Sequence, residues 1–293
     1  MIELRNLTVR YRHTVAIDDL SLDLPTGKIY GLLGRNGSGK TSLLSVLASF
    51  RKASAGTVTI DGVDPFEDAA LMAQTYFGRD SLDANDGDRV ARVLDFARWL
   101  RPSWDDDYAG RLLETFELST RKRISALSRG QKSSLGVVLG LASRAPLTIL
   151  DEVYLGMDAV ARTTFYRELL ADYLAQPRTI ILSTHLIEEV AGLFERVIII
   201  DRGRLVLHED ADELKARGVA VTGPADAVDA FVAGRTVLSE QRLGGVRQAT
   251  LYGRLDESDS SQARAAGLTL GPVGIQDLFV HLTSGHPELE AQR

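Results

Sequence analysis

Eight consecutive residues, Gly34-Arg35-Asn36-Gly37-Ser38-Gly39-Lys40-Thr41, combine glycine, lysine and a hydroxyl in the pattern G-x4-G-K-[ST]. That combination suits a polyanion. Glycines let the backbone turn its N–H groups towards phosphate oxygens, and a helix opening after the loop adds the positive end of its dipole. Lys40 can reach the β- and γ-phosphates of a nucleotide, and the Thr41 hydroxyl can ligate Mg2+. Gly34, Asn36, Gly37, Ser38, Gly39 and Ser42 complete the expected phosphate-binding set. A second group, Leu147-Thr148-Ile149-Leu150-Asp151-Glu152, is an apolar strand ending in two acids, at the end where parallel sheets bind ligands. Asp151 is expected to hold the Mg2+ through water, and Glu152 to act as general base on an attacking water. Alone, such a strand end reads as a solvated turn; beside a phosphate loop it reads as a hydrolytic site. A third group, Leu127-Ser128-Arg129-Gly130-Gln131, is by itself no more than a helix-capping serine.

These groups need elements to position them. Ile2, Leu4, Leu7 and Val9, then Leu20, Leu22 and Leu24, alternate as two antiparallel strands. Residues 29–33 form a buried strand running into the glycine loop, after which Leu43, Leu44, Val46, Leu47 and Phe50 recur with helical period. Residues 57–60 with Asp61-Gly62 make a further strand and turn. The stretch 83–143 reads as mostly helical, with Val90, Val93, Leu94, Ala97 and Leu100 on one face and Tyr108, Leu112, Leu113 and Phe116 on another. Strands return at 147–150, 179–183 and 197–200, separated by helices around 158–175 and 186–195. Near-continuous apolar strands alternating with helices predict a mainly parallel sheet covered on both faces.

After about residue 215 the texture changes. Short strands are expected at 219–221, 246–251 and 268–270, helices at 225–232 and 275–282, and a polar turn at 256–261. The expected organisation is therefore an α/β domain over 1–215, with a helical subdomain at about 83–143. A small α+β domain over 216–284 and a tail over 285–293 follow.

Composition narrows the field. The chain has 293 residues, and 34 Lys and Arg against 40 Asp and Glu leave a formal net charge of −6, which argues against a protein built to grip nucleic acid. The absence of cysteine removes disulfides, thiolate catalysis and Cys-ligated zinc. The N-terminus lacks the pattern of a signal peptide, and no run approaches a membrane span, so direct membrane insertion is not expected. Phe96, Trp99, Pro102 and Trp104 are expected to pack within the helical region, and Asp105-Asp106-Asp107 to open a helix rather than bind a metal. His208, His281 and His286 show no ligand spacing.

Taken together and in this order, the three groups resemble the ATP-binding subunit of a bacterial ABC transporter of exporter type, over about residues 1–210. Leu127 to Gln131 is similar to the family signature LSGGQ, with Arg129 in place of the first glycine. Gly156-Met157-Asp158 resembles the D-loop, and Ser183-Thr184-His185 the switch histidine. Tyr11 stands where the family places an aromatic on the adenine. The resemblance implies a P-loop NTPase core with an antiparallel β subdomain and a helical signature subdomain. It implies two such subunits closing head to tail on two ATP, with Mg2+. Lys40, Thr41, Asp151, Glu152 and His185 would come from one subunit. Ser128 and Gly130 would reach the γ-phosphate from the other, and Gln131 and Asp158 are counted with the nucleotide-binding residues. Closure would drive a transmembrane permease subunit from the cytoplasmic side. The second ATPase is either a copy of this chain or a paralogue.

The sequence departs from the family pattern in three places. Arg79 stands at the expected Q-loop glutamine, with Gln74 as the alternative; Val153 follows Glu152 where proline is usual; and Arg129 removes a glycine. Two other functions compete. A soluble ABC-type ATPase acting on nucleic acid or ribosomes would carry basic tracts or a second module. A non-hydrolysing ATP sensor would not need Glu152 and His185. The 216–284 region resembles the small C-terminal domain of some exporter ATPases through Gln276-Asp277-Leu278-Phe279-Val280.

Overall fold

The computed structural model describes residues 1–283; the expected tail at 285–293, Ser284 and His286 lie outside the described residues. The chain forms two compact units. One comprises Met1–His185 with Ile200–Leu205, and the other Leu186–Ile199 with the chain from Val206 onward.

In the first unit β1 (Ile2–Tyr11) and β2 (Thr14–Leu24) pair antiparallel, with Ile2 opposite Leu24 and Leu4 opposite Leu22. Their alternating Ile2, Leu4, Leu20 and Leu22 are buried, which fixes the register, because a one-residue slip would turn all of them outward. β3 (Ile29–Leu33) is buried along its whole length and leads through the glycine loop into α1 (Lys40–Leu47). β4 (Ala55–Ile60) pairs with β1 on the side away from β2, giving the order β2-β1-β4. α2 (Ala69–Ala73) precedes β5 (Thr75–Arg79). The helical region comprises α3 (Val90–Leu100), α4 (Asp106–Thr115) and α5 (Arg129–Ala142). β6 (Leu147–Asp151), α6 (Ala159–Ala175) and β7 (Thr179–Thr184) complete the unit's regular structure up to His185. The strands lie in the order β5-β6-β7-β3, all parallel in register. Their carboxyl ends, at Arg79, Asp151, Thr184 and Leu33, therefore gather on one edge, as the βαβ connectivity requires.

Three expectations for this unit need correction. Phe50 lies beyond the end of α1, is 61% exposed, and meets Phe77 edge to face at 5.3 Å. Phe96 and Trp99 do not pack into the helical region: they are 60% and 79% exposed and lie against each other at 6.2 Å. The indole of Trp104 donates to Asp106 at 2.8 Å. β5 adds a strand that the sequence pattern does not announce, since its five residues include Gly78 and Arg79. The acidic run behaves as expected, with Asp105 capping α4 and Asp106 and Asp107 in its first turn.

In the second unit α7 (Ile187–Val190) is four residues, much shorter than the helix expected over 186–195. β8 (Arg196–Asp201) and β9 (Arg204–Asp210) cross the division between units. α8 (Ala211–Ala216) leads to β10 (Gly218–Pro224), α9 (Ala225–Val232), β11 (Thr236–Leu243), β12 (Val246–Tyr252), α10 (Glu257–Ala265), β13 (Thr269–Pro272) and α11 (Ile275–Thr283). From β10 to β13 the order β-α-β-β-α-β gives one antiparallel sheet, β11-β12-β10-β13. Val221, Val228, Phe231, Leu251, Ala263 and Leu268 form its core. The stretch expected as a polar turn at 256–261 is instead the start of α10, closed by a reciprocal capping box between Asp256 and Asp259.

Candidate active site

The glycine loop connects β3 to α1, so the sheet edge and a helix N-terminus meet at Lys40. Gly39 is required there: its φ is +108°, and a Cβ would lie 2.4 Å from the Ala16 carbonyl oxygen. Among the described residues no side chain caps α1, so the N–H groups of its first turn face the loop as donors for an anion. Above the loop is a cavity of about 670 Å³ lined by Tyr11, Thr14 to Ala16, Asn36 to Ser42, Asp80, Asp151, Glu152 and Leu155.

Inside it the charged groups are chained together. The Lys40 ammonium, only 6% exposed, donates to the Gly34 carbonyl at 2.8 Å and approaches Glu152 Oε1 at 3.7 Å. The other Glu152 oxygen lies 3.4 Å from His185 Nδ1. Glu152 itself has φ +51°, a conformation that a side chain adopts at a cost and that sets its carboxylate over the loop. The Thr41 hydroxyl donates to Asp151 Oδ2 at 2.7 Å, and Ser183 donates to the other Asp151 oxygen. Tyr154, buried beneath, hydrogen-bonds Thr184 Oγ1 at 2.8 Å and accepts from the His185 backbone N–H at 3.2 Å. It thereby fixes the residue that carries the imidazole.

The structure thus brings together Tyr11, Gly34, Asn36, Gly37, Ser38, Gly39, Lys40, Thr41, Ser42, Asp151, Glu152 and His185. Ser128, Gly130, Gln131 and Asp158 do not line this cavity. Ser128 caps α5 in a capping box with Gln131, and Asp158 caps α6. Arg79 lies at the carboxyl end of β5, opposite Asp151 in register, whereas Gln74 precedes the strand at its other end. Arg79 pairs with both oxygens of Asp83, at 2.6 and 2.7 Å. The bond from Ser183 to Asp151 and the contacts of Tyr154 with Thr184 and His185 join residues some 30 positions apart, and no local sequence pattern announces them.

The donor set fits a nucleoside triphosphate with a hard divalent cation. Among the described residues the buried Ser38 hydroxyl has no hydrogen-bond partner, and the Lys40 ammonium is buried in the same loop. Thr41 and Asp151 supply one hydroxyl and one carboxylate. Such a pair fits Mg2+, which takes one or two protein oxygens and completes its shell with phosphate and water.

A second hollow, of about 610 Å³, flanks β5 and is lined among others by Phe50, Phe77, Arg79, Phe96 and Leu100. Tyr76 closes its floor, donating to the Gly136 carbonyl at 2.7 Å, and burial pushes its phenol well above the ordinary tyrosine range.

Comparison with known proteins places these features. Residues 17–154 match the model of the ABC transporter family. The ABC transporter ATP-binding protein YtrB of Bacillus subtilis (strain 168) is 29% identical over 288 residues, covering 96% of this chain and 97% of that one. The Nod factor export ATP-binding protein I of Mesorhizobium japonicum is 29% identical, covering 98% and 88%. The doxorubicin resistance ATP-binding protein DrrA of Mycobacterium tuberculosis is 30% identical, covering 69% and 63%. Among solved structures, an ATP-binding subunit of an ABC transporter superposes with a TM-score of 0.66 at 20% identity, covering 73% of this chain and 92% of that one. A dimeric, post-hydrolysis ATP-binding cassette bound to ADP and Pi superposes at 0.64 and 20% identity, covering 72% and 99%. These likenesses establish the fold of the nucleotide-binding part.

Proposed function

We propose that this chain, whose residues 17–154 match the ABC transporter family, is an ATPase of that class that powers export through a separate permease subunit. The observation that carries the site assignment is the chain Lys40–Glu152–His185 beside the Thr41–Asp151 pair, in the cavity that Tyr11 borders.

In this reading the loop amides, Ser38 and Lys40 hold the phosphates, and Tyr11 stacks on the base. Thr41 and Asp151 hold Mg2+, which when bound supplies positive charge against the phosphate oxygens. Glu152 takes a proton from the attacking water. Its two oxygens are already oriented by Lys40 and His185, so little reorganisation is needed when charge develops. His185, held by Tyr154, sits at the same carboxylate and steadies the developing charge.

Ser128, Gly130, Gln131 and Asp158 act from a second subunit, either a copy of this chain or a paralogue. In the single chain none of the four lines the nucleotide cavity, and Ser128 and Asp158 stand at helix N-termini. The permease is proposed as a separate subunit; no helix among the described residues is long and apolar enough to cross a membrane. Its contact is proposed at the hollow flanking β5, where Phe50 and Phe96 are exposed and Trp99 adjoins Phe96. The strand beneath that hollow ends at Arg79, one residue before Asp80 of the nucleotide cavity. The working location is the inner face of the cell membrane, held by the permease. Residues 1–215 form the ATP-binding domain, and 216–284 a small accessory α+β domain.

The test is Glu152→Gln. It keeps every phosphate-holding group and removes the base, so ATP affinity is expected to stay within about twofold while turnover falls at least about a hundredfold. Wild-type turnover in this variant would overturn the role given to Glu152.

A further inference from the structure

Tyr11 borders the nucleotide cavity, yet it is 40% exposed and sits at the very end of β1. An aromatic side chain so placed is free to change rotamer unless something holds it, and a base can stack well only on a ring already in place. Arg51 supplies the hold. Its guanidinium carbon lies 3.7 Å from the centroid of the Tyr11 ring, close enough for a flat stacked cation–π contact. One guanidinium nitrogen donates to the carbonyl of Arg10, the residue before Tyr11, so the same side chain grips both the ring and its backbone. Arg51 is itself fixed by its own N–H, which donates to the Ser45 carbonyl at 3.1 Å, just past α1. Arg51 does not line the cavity, so it backs the ring rather than meeting the ligand.

We propose that Arg51 is a positioning residue for base recognition: it stacks behind Tyr11 and holds the ring as a ready platform for the base. The inference rests on the reading of Tyr11 as the base-stacking residue. It also ties that platform to α1. The phosphate-binding helix leads directly into the segment that holds the base platform, so both ends of the nucleotide are gripped from one stretch of chain.

The experiment compares Arg51→Ala, Arg51→Gln and Tyr11→Ala by titration calorimetry, with Mg-ATP and with Mg-tripolyphosphate, which offers the phosphates without a base. Arg51→Gln keeps a planar polar group but is two atoms shorter and uncharged, so it removes the contact with the ring while leaving a smaller gap than alanine. Both Arg51 variants are expected to raise the ATP dissociation constant about three- to tenfold and to leave tripolyphosphate binding within about twofold. In a Tyr11→Ala background, Arg51→Ala is expected to add nothing, because the two act through one contact. Equal losses for ATP and tripolyphosphate would overturn the positioning role. So would unchanged ATP binding in the Arg51 variants while Tyr11→Ala weakens it, and the base-stacking reading would then stand alone. Unchanged ATP binding in Tyr11→Ala would instead remove the base-stacking reading itself.

Discussion

Lys40 is a cation in a nearly closed setting, and its balance shows what the site is built to hold. Two main-chain carbonyls, of Gly34 and Arg35, and one oxygen of Glu152 face its ammonium. Burying a charge is costly unless it is paired, and carbonyl dipoles alone pair it poorly. A phosphate group beside it would complete the pairing, so Lys40→Ala should raise the ATP dissociation constant at least about tenfold, as expected for a charge-assisted contact made with little solvent around it. Equilibrium binding with a fluorescent ATP analogue measures this, with far-ultraviolet circular dichroism to check the fold. Unchanged affinity would remove Lys40 from the phosphate site. At this scale the core of the site was legible because its chemistry is written in contiguous residues: Gly34 to Thr41 and Asp151-Glu152 need no distant partner to be recognised. Tyr154 and Arg51 escaped notice for the opposite reason. Each matters through a residue some 30 to 40 positions away, Tyr154 through Thr184 and His185, and Arg51 through Tyr11.

The N-terminus of α5 shows how an element holds a functional turn. Ser128 and Gln131 close its first turn reciprocally, and a Cβ on Gly130 would lie 2.8 Å from the Gly156 carbonyl oxygen. The Arg129 side chain in turn packs over Gly156, where a Cβ would lie 2.6 Å from its Cγ. The turn leading to Asp158 and the start of α5 therefore fit one another closely, and Arg129, the unusual residue here, is part of that fit. Gly130→Ala forces two backbones apart and should destabilise by about 1–3 kcal/mol, the usual cost of overpacking. Gly136→Ala, in the same helix with nothing within 4 Å of its would-be Cβ, should instead stabilise by about 0.5–1 kcal/mol. Urea denaturation of the two variants side by side tests the pair. Equal effects would mean that the contact with Gly156 does not matter. Elements with apolar periodicity, such as β1, β3, β6 and α9, could be read directly. α10 could not, because of its nine residues only Ala263 is buried and its start is set by the Asp256–Asp259 capping box. β11 was hidden by the register shift between Val237 and Ser239, which breaks its alternation.

For the molecule as a whole, the question is whether one chain is chemically complete. Lys40, Thr41, Asp151 and Glu152 already share a cavity with Tyr11, so the proposed binding residues come together within one chain. The turn at Ser128 opens a helix and offers a dipole end to an anion, but it borders no part of that cavity. Two copies closing on two nucleotides would bring each α5 N-terminus to the other's triphosphate. A variant that binds ATP without cleaving it should trap that state. Glu152→Gln is this variant, and light scattering after gel filtration reads its mass. Without nucleotide the 32.0 kDa chain is expected alone, and with Mg-ATP at twice that mass. Adding Ser128→Arg should abolish the shift while leaving ATP binding intact, because the bulky cation would block the approach of α5 but lies outside the single-chain site. A protein that binds ATP and never leaves its monomer mass would overturn self-association. The completing α5 would then have to come from a paralogous subunit, or closure would need the permease to bring two chains together.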